Sequence, residues 1–106
     1  SAPFAELRRA EILGREVPFI MPWPSADAPD CCVMQGVMDL LYRLDGEVWI
    51  ADYKTDRVSA GEEESRAAAY RAQALAYREA VAVCLGGKPV RFQFIFLRSG
   101  IGVKLA

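Results

Sequence analysis

Two aspartates and one lysine stand on either side of an Asp-Gly dipeptide near the middle of the chain. The three residues are Asp39, Asp52 and Lys54, and the dipeptide is Asp45-Gly46. Runs of β-type residues flank the dipeptide, and Asp-Gly favours a two-residue type I′ turn, because both central residues of that turn need positive φ. Counting back along both strands from this turn places Asp39 directly opposite Asp52. The sequence therefore predicts two carboxylates side by side on one hairpin.

This arrangement indicates metal-assisted hydrolysis. Strand alternation places Lys54 on the same face as Asp52 and Tyr53 on the opposite face. Like charges directly opposite one another are destabilising, so we expect a cation between the two acids. Hard oxygen ligands suit Mg²⁺ or Mn²⁺ rather than zinc, and such an ion activates water and polarises phosphoryl oxygens. Lys54 would orient that water or stabilise developing negative charge, which is the chemistry of phosphodiester hydrolysis.

Exposed acids balanced by Lys54 would be the commoner meaning of such a hairpin. The neighbouring residues favour a site instead, because Asp39 lies within VMDLLY and Asp52 within VWIADY. An acid inside so apolar a run is expected to be partly buried, which is costly unless the acid is paired or metal-bound.

Composition removes several other chemistries. The chain has no histidine, which excludes Ser-His and Cys-His pairs, imidazole bases and the commonest zinc ligand. Its three cysteines are the adjacent Cys31 and Cys32 and the distant Cys84. They form neither an even disulfide framework nor a four-thiolate cluster site, so we interpret them as reduced, buried small hydrophobes. Carboxylates, lysine and tyrosine must carry any catalysis.

The bulk properties are those of one folded domain. With 106 residues, 53% hydrophobic and 25% charged, the chain can build a single hydrophobic core. Its net charge of -1 predicts no global attraction to a polyanion, so any grip on nucleic acid must be local or supplied by a partner. Neither a membrane span nor a signal peptide is predicted, and the cytoplasm is the expected location.

The order of the predicted elements indicates an α+β domain, helix-strand-strand-strand-helix-strand, with a central mixed sheet. The elements are a helix over 5–13, strands over 15–21, 31–44 and 47–54, a helix over 63–85, a strand over 89–97 and a short strand over 101–105. Gly14 and the Gly86-Gly87 pair are the expected helix stops. Pro18 favours an edge strand, and residues 22–30, with three prolines, predict a loop.

Two further patterns belong to the predicted second helix. Ser59 and Glu62 have the spacing of a capping box at its start. Gln73 and Tyr77, four residues apart, share one face of it, and Tyr70 falls on nearly the same stripe. Spacing alone favours a core role for these tyrosines.

Together these segments resemble the PD-(D/E)XK nuclease domains of the RecB and AddA type. That family shows G-hydrophobic-x-D on one strand, D-Y-K-[TS] on the next and Q-x-x-x-Y on the following helix. The matching runs here are QGVMDLLYRLDGEVWIADYKTD and YRAQALAY, and the preceding REVPF is more similar to the AddA type. The resemblance extends from Arg15 to the C-terminus and implies a restriction-endonuclease-like core.

The resemblance also implies roles for individual residues. Asp39 and Asp52 match the metal-binding acids, and Lys54 matches the catalytic lysine. The backbone carbonyl of Tyr53 falls at the position that commonly adds a metal ligand. The remaining matches are supporting or DNA-binding: Gln73 and Tyr77 on the helix, and Glu16 on the first strand.

For the function, the resemblance implies a Mg²⁺- or Mn²⁺-dependent DNA exonuclease domain in double-strand break repair and recombination. Its setting would be the C-terminal end of a UvrD/Rep-like, ATP-binding helicase-nuclease. A helicase motor in the same parent chain would deliver single-stranded DNA, and the partner would be a further nuclease or helicase protein. No G-x-x-x-x-G-K-[ST] phosphate loop occurs in the sequence, so we expect a piece excised from a longer chain.

One departure from the family pattern leaves an alternative open. Family members place a His or Glu ligand on an upstream helix, for which Glu6 and Glu11 are weak substitutes. The alternative is a catalytically inactive module of the same fold that clamps DNA or binds protein. A stand-alone nuclease of the CRISPR-adaptation kind ranks lower, because it carries four cysteines where this chain has three.

Overall fold

A computed structural model describes residues 2–22, 33–59 and 61–105. In chain order its elements are α1 (Ala2–Arg9), β1 (Glu11–Pro22), β2 (Val33–Leu44), β3 (Glu47–Lys54), α2 (Glu63–Ala69), α3 (Arg71–Cys84), β4 (Val90–Phe96) and β5 (Ile101–Lys104). The strands form one sheet in the order β1-β2-β3-β4-β5. The β3–β4 pair is parallel and the other three are antiparallel. The predicted α+β class with a central mixed sheet is confirmed.

Hydrophobic residues are buried on both faces of the sheet. On the side of α2 and α3 the buried residues are Met38, Ile50, Ala67, Ala74, Val81, Val90, Phe92, Phe94 and Phe96. On the side of α1 they are Leu40, Tyr42, Leu44, Trp49, Ala51 and Ile95. The central strands are covered on both sides, which explains why their sequences are nearly continuously apolar.

The β2–β3 hairpin has the register that the Asp-Gly dipeptide predicts. Leu44 pairs with Glu47, and the ladder continues in step toward Leu40. Asp45 and Gly46 have φ angles of 52° and 82°, the positive values that a type I′ turn requires. The turn chemistry therefore fixes which side chains of the two strands share a face.

The N-terminal part of the sheet begins earlier than the sequence predicts. A helix over 5–13 is wrong, because α1 ends at Arg9 and β1 begins at Glu11. Glu11 pairs with Arg43 on β2, and the Arg43 guanidinium donates a 2.9 Å hydrogen bond to its carboxylate. Gly14 is not a helix stop, since it follows a register shift in the β1–β2 ladder. Pairing along β2 thus outweighs the helix propensity of these residues.

The predicted helix over 63–85 is two helices separated at Tyr70, whose φ and ψ are -100° and 3°. The predicted capping box is absent, because Glu62 makes no side-chain capping hydrogen bond. The glycine stop is confirmed. Gly87 N donates to Ala82 O at 2.8 Å and Gly86 N donates to Val83 O at 3.1 Å, which closes the last turn of α3.

The cysteine prediction is wrong at Cys84, which is exposed and free. The buried residues of α3 end at Val81, so its final turn faces solvent. Cys31, Cys32 and most of the predicted loop over 22–30 lie outside the described residues. Pro18 lies on β1, which pairs with β2 alone within the described ranges, as an edge strand should. In the same ranges, no helix has the length and apolar character to cross a membrane.

Candidate active site

The β2–β3 ladder ends just before the two acids. Its last pair is Leu40 with Ala51, so the ladder pair predicted for Asp39 and Asp52 is not formed. Instead, the Tyr53 N–H donates a 2.8 Å hydrogen bond to Asp39 Oδ2. The Asp39 carboxylate thus takes the place of a strand acceptor and is fixed against the backbone of β3.

An irregularity in β1 and β2 accompanies this position. Met38 packs in the core beside α2 and α3, whereas Leu40 packs in the core beside α1. Residues two apart on a regular strand share a face, so the alternation of β2 is interrupted at Asp39. On β1, Glu16 stands at the corresponding place in the ladder and has a φ of 49°. Both strands therefore leave regular β geometry beside the acids.

Lys54 is held between an acid and an aromatic ring. Its Nζ lies 2.9 Å from Asp52 Oδ2, and the Lys54 and Asp52 side chains are 16% and 15% exposed. The same Nζ lies 3.8 Å from the centroid of the Tyr70 ring. Because Tyr70 separates α2 from α3, the break in the helix places this ring above the lysine.

Burial raises the pKa of Asp52 above its ordinary value. The nearby Lys54 ammonium opposes this shift, and the neighbouring Asp39 carboxylate adds to it. Asp52 Oδ2 is also buried without a hydrogen bond, since the lysine contacts it as an ion pair lacking hydrogen-bond direction. A further cation beside the two acids would therefore favour the ionised form of Asp52.

The oxygen atoms present fit a hard divalent ion. Mg²⁺ is usually held by one or two carboxylates, while water and substrate phosphates complete its coordination. Asp39 and Asp52 supply two such groups, and the buried Asp52 oxygen lacks a directed donor. Within the part of the chain that the structure describes, no three His, Cys, Asp or Glu residues form a metal-binding group. The backbone carbonyl of Tyr53 stays a predicted ligand.

A second layer of contacts surrounds the lysine, and sequence reasoning missed it. The Tyr70 hydroxyl donates a 2.8 Å hydrogen bond to Asp56 Oδ2, which also pairs with Arg66 at 3.3 Å. The Asp56 acceptor is the main cause of a raised pKa for Tyr70. Proximity of Asp56 to Lys54 in the sequence was the available signal, but the break at Tyr70 had none.

Gln73 and Tyr77 interact with each other, but neither is hydrogen-bonded to the site residues. Gln73 Nε2 donates a 3.1 Å hydrogen bond to the Tyr77 hydroxyl. The Tyr77 ring packs edge-on against Phe19, with centroids 4.7 Å apart. A Cβ atom added to Gly36 would lie 2.6 Å from the same hydroxyl. The pair therefore ties α3 to β1 and β2 upstream of Asp39.

The remaining glutamates differ in their positions. Glu16 is exposed and lies across the β1–β2 ladder from Asp39, so its supporting role stays a prediction. Glu6 and Glu11 form ion pairs with basic residues of the sheet, at 3.6 and 2.9 Å. These two glutamates are engaged away from Asp39 and Asp52, so they do not replace the upstream ligand.

The fold and this site agree with comparisons to known proteins. The model of the PD-(D/E)XK nuclease superfamily matches residues 2–102, and the chain belongs to that superfamily. It is similar to an ATP-dependent helicase/nuclease protein of Staphylococcus carnosus (strain TM300), at 31% identity over 92% of this chain and 9% of that protein.

Two further relatives bear the same name. The Heliobacterium modesticaldum protein is 34% identical over 94% of this chain and 8% of its own length. The Acetivibrio thermocellus protein is 32% identical over 80% of this chain and 8% of its own length. The chain thus spans less than a tenth of these relatives, and its resemblance to the family is confirmed.

Proposed function

We propose that this domain hydrolyses DNA phosphodiester bonds with Mg²⁺ or Mn²⁺. The observation that carries the proposal is the buried Asp52 oxygen, which contacts Lys54 at 2.9 Å but has no hydrogen bond directed at it. Asp39, fixed by the Tyr53 N–H, supplies the second carboxylate. Membership in the PD-(D/E)XK nuclease superfamily supports the same reaction.

In this proposal Asp39 and Asp52 hold the divalent ion together with the backbone carbonyl of Tyr53. The bound ion supplies Lewis acidity and lowers the pKa of water. Lys54, confined between Asp52 and Tyr70, donates a hydrogen bond to the attacking water or to a nonbridging phosphate oxygen. The partial burial of the lysine strengthens its interaction with developing negative charge.

Gln73, Tyr77 and Glu16 have supporting roles in the proposal. Gln73 and Tyr77 brace the β1–β2 layer through Phe19 and Gly36 and so steady the strand that carries Asp39. Their polar groups, with Glu16 at the edge of the sheet, also contact the DNA backbone or its water.

The proposed setting is an exonuclease domain of an AddA/RecB-type helicase-nuclease, acting in double-strand break repair and recombination. The relatives are helicase/nuclease subunits by name, which supports a helicase motor that delivers single-stranded DNA to this site. A partner nuclease or helicase protein completes this setting.

The test is cleavage of end-labelled single-stranded DNA by the full-length polypeptide that carries this sequence. We expect cleavage with Mg²⁺, none with chelator, and a loss of about 10²–10³-fold or more for Asp52→Asn and for Lys54→Gln. Asp45→Asn is the matched control, because Asp45 is an exposed acid at the far end of the same hairpin. Equal cleavage by the wild type and Asp52→Asn would reject the assignment.

The inactive module remains the second candidate because the described residues lack a third acid or histidine at the site. Titration with Mn²⁺ separates the two functions. A nuclease site binds Mn²⁺ saturably and loses that binding in Asp39→Asn and Asp52→Asn. A module without catalysis shows no difference between these variants and Asp45→Asn.

A further inference from the structure

A cleft of about 330 Å³ lies beside the candidate site, between the loop after β3 and the turn after β4. We call it the arginine cleft, and its lining residues are Asp56, Arg57, Val58, Ser59, Arg98 and Ser99. The loop wall starts directly after Lys54, the last residue of β3. Whatever occupies the cleft therefore lies next to the proposed reaction centre.

Two hydrogen bonds join the walls of the arginine cleft. Arg98 Nε donates to Thr55 O at 2.7 Å, and Leu97 N donates to Lys54 O at 2.9 Å. The first bond fixes the plane of the guanidinium and leaves its two terminal nitrogens as donors. A fixed guanidinium loses less conformational freedom when it binds an anion, which favours recognition of phosphate.

The charges in the arginine cleft favour an anion. Asp56 is the acid in its lining, and Arg66 and the Tyr70 hydroxyl already engage that carboxylate at 3.3 and 2.8 Å. Arg57 and Arg98 are exposed, and neither forms an ion pair within the described segments. On a chain of net charge -1, the cleft is a local concentration of positive charge.

We propose that the arginine cleft binds a phosphate of the DNA strand next to the phosphate that is cleaved. Arg57 and Arg98 pair with its nonbridging oxygens, and the hydroxyls of Ser59 and Ser99 add hydrogen bonds. This inference rests on the proposed nuclease function. It supplies the local grip that a domain without a global positive field needs to hold a polyanion.

The first test measures binding of labelled single-stranded DNA to the full-length polypeptide carrying Asp52→Asn, without divalent ions. We expect Arg57→Gln and Arg98→Gln each to weaken binding about fivefold at about 0.1 M salt and to reduce the salt slope by about 0.7. The loss should be the same on different DNA sequences. Arg8→Gln is the control, because Arg8 is an exposed arginine on α1, across the sheet. Arg57 is exposed, so its replacement leaves folding intact even if Arg98→Gln does not.

The second test locates the contact with oligonucleotides in which one phosphate at a time is a neutral methylphosphonate. Neutralising the phosphate beside the cleaved bond should weaken binding of the parent but have no further effect on Arg57→Gln. Additive losses, or an unchanged salt slope in both cleft variants, would overturn the arginine cleft. In that case, Mg²⁺-dependent cleavage that depends on Asp52 would leave the nuclease proposal standing. Absence of both binding and cleavage in the wild type would overturn both proposals.

Discussion

The ammonium of Lys54 rests on the face of the Tyr70 ring, 3.8 Å from its centroid. A cation on an aromatic face gains about 0.5–2 kcal/mol, with the larger values for desolvated pairs. Lys54 is 16% exposed, so this contact contributes to holding Nζ against Asp52. Tyr70 therefore acts as a positioning residue for the proposed reaction.

Replacement of Tyr70 should separate the ring from its hydroxyl. We expect Tyr70→Leu to lower kcat for DNA cleavage about tenfold, because Lys54 loses the face that confines it. KM for DNA should change little. Tyr70→Phe keeps the ring and should stay close to the wild type, although it loses the hydrogen bond to Asp56. Steady-state kinetics of both variants check this, and equal losses in the two would contradict it.

Two replacements of Asp39 should distinguish metal binding from folding. Asp39→Asn retains an oxygen that can accept from the Tyr53 N–H and removes a charge beside Asp52, so metal-free stability should be kept or increased. Asp39→Ala removes the acceptor and should lower the free energy of unfolding by about 1–3 kcal/mol. Both variants should lose Mn²⁺ binding. Urea unfolding and Mn²⁺ titration measure the two effects, and a destabilised Asp39→Asn would argue against the backbone role.

A methyl group at Gly36 should disturb Tyr77. The added Cβ would lie 2.6 Å from the Tyr77 hydroxyl and 3.1 Å from the Phe19 ring. We expect Gly36→Ala to destabilise the fold by about 1–3 kcal/mol through overpacking. Tyr77→Phe removes the clashing oxygen, so the double variant should recover part of that loss. A double-mutant cycle of unfolding free energies tests this, and strictly additive losses would show that the contact is unimportant.

Alkaline pH should destabilise the fold through Tyr42. Burial is the main cause that raises its pKa to about 12, against a hydrogen bond from Gln93 that lowers it. The folded state therefore keeps the proton after the unfolded state has lost it. The contribution is fully present below about pH 10 and falls by roughly 1.4 kcal/mol per unit between about pH 10 and pH 12.

Urea unfolding at about pH 9 and about pH 11 measures this effect, with Tyr42→Phe as the comparison. The variant should lose less stability between the two pH values than the wild type. It should also be less stable at both, because the buried Gln93 amide loses its 2.7 Å acceptor. The same pH dependence in both proteins would contradict the assignment to Tyr42.

Sequence reasoning was strongest where one local signal fixes geometry. The Asp45-Gly46 turn determines the register of β2 and β3, and the observed pairs follow it as far as Leu40 and Ala51. That register brings Asp39 near Asp52. It could not predict that the ladder would stop there, because the interruption involves a third strand, β1.

Other features depend on contacts between residues far apart in the sequence. Residues 63–85 are good helix formers throughout, so nothing local signals an interruption at Tyr70. There the ring lies over Lys54 and the hydroxyl reaches Asp56, contacts that compete with a continuous helix. Likewise, the strand from Glu11 exists because β2 lies beside it. Local propensity is a weak guide where such pairing is available.

The bond from the Tyr53 amide to Asp39 has a thermodynamic consequence for ion capture. A carboxylate that the backbone already immobilises surrenders little rotational entropy when it coordinates a cation. The fold itself has met that cost before any ion arrives. Preorganisation of this kind should appear in calorimetry as an entropy of Mn²⁺ binding that is more favourable than in any variant freeing the Asp39 side chain.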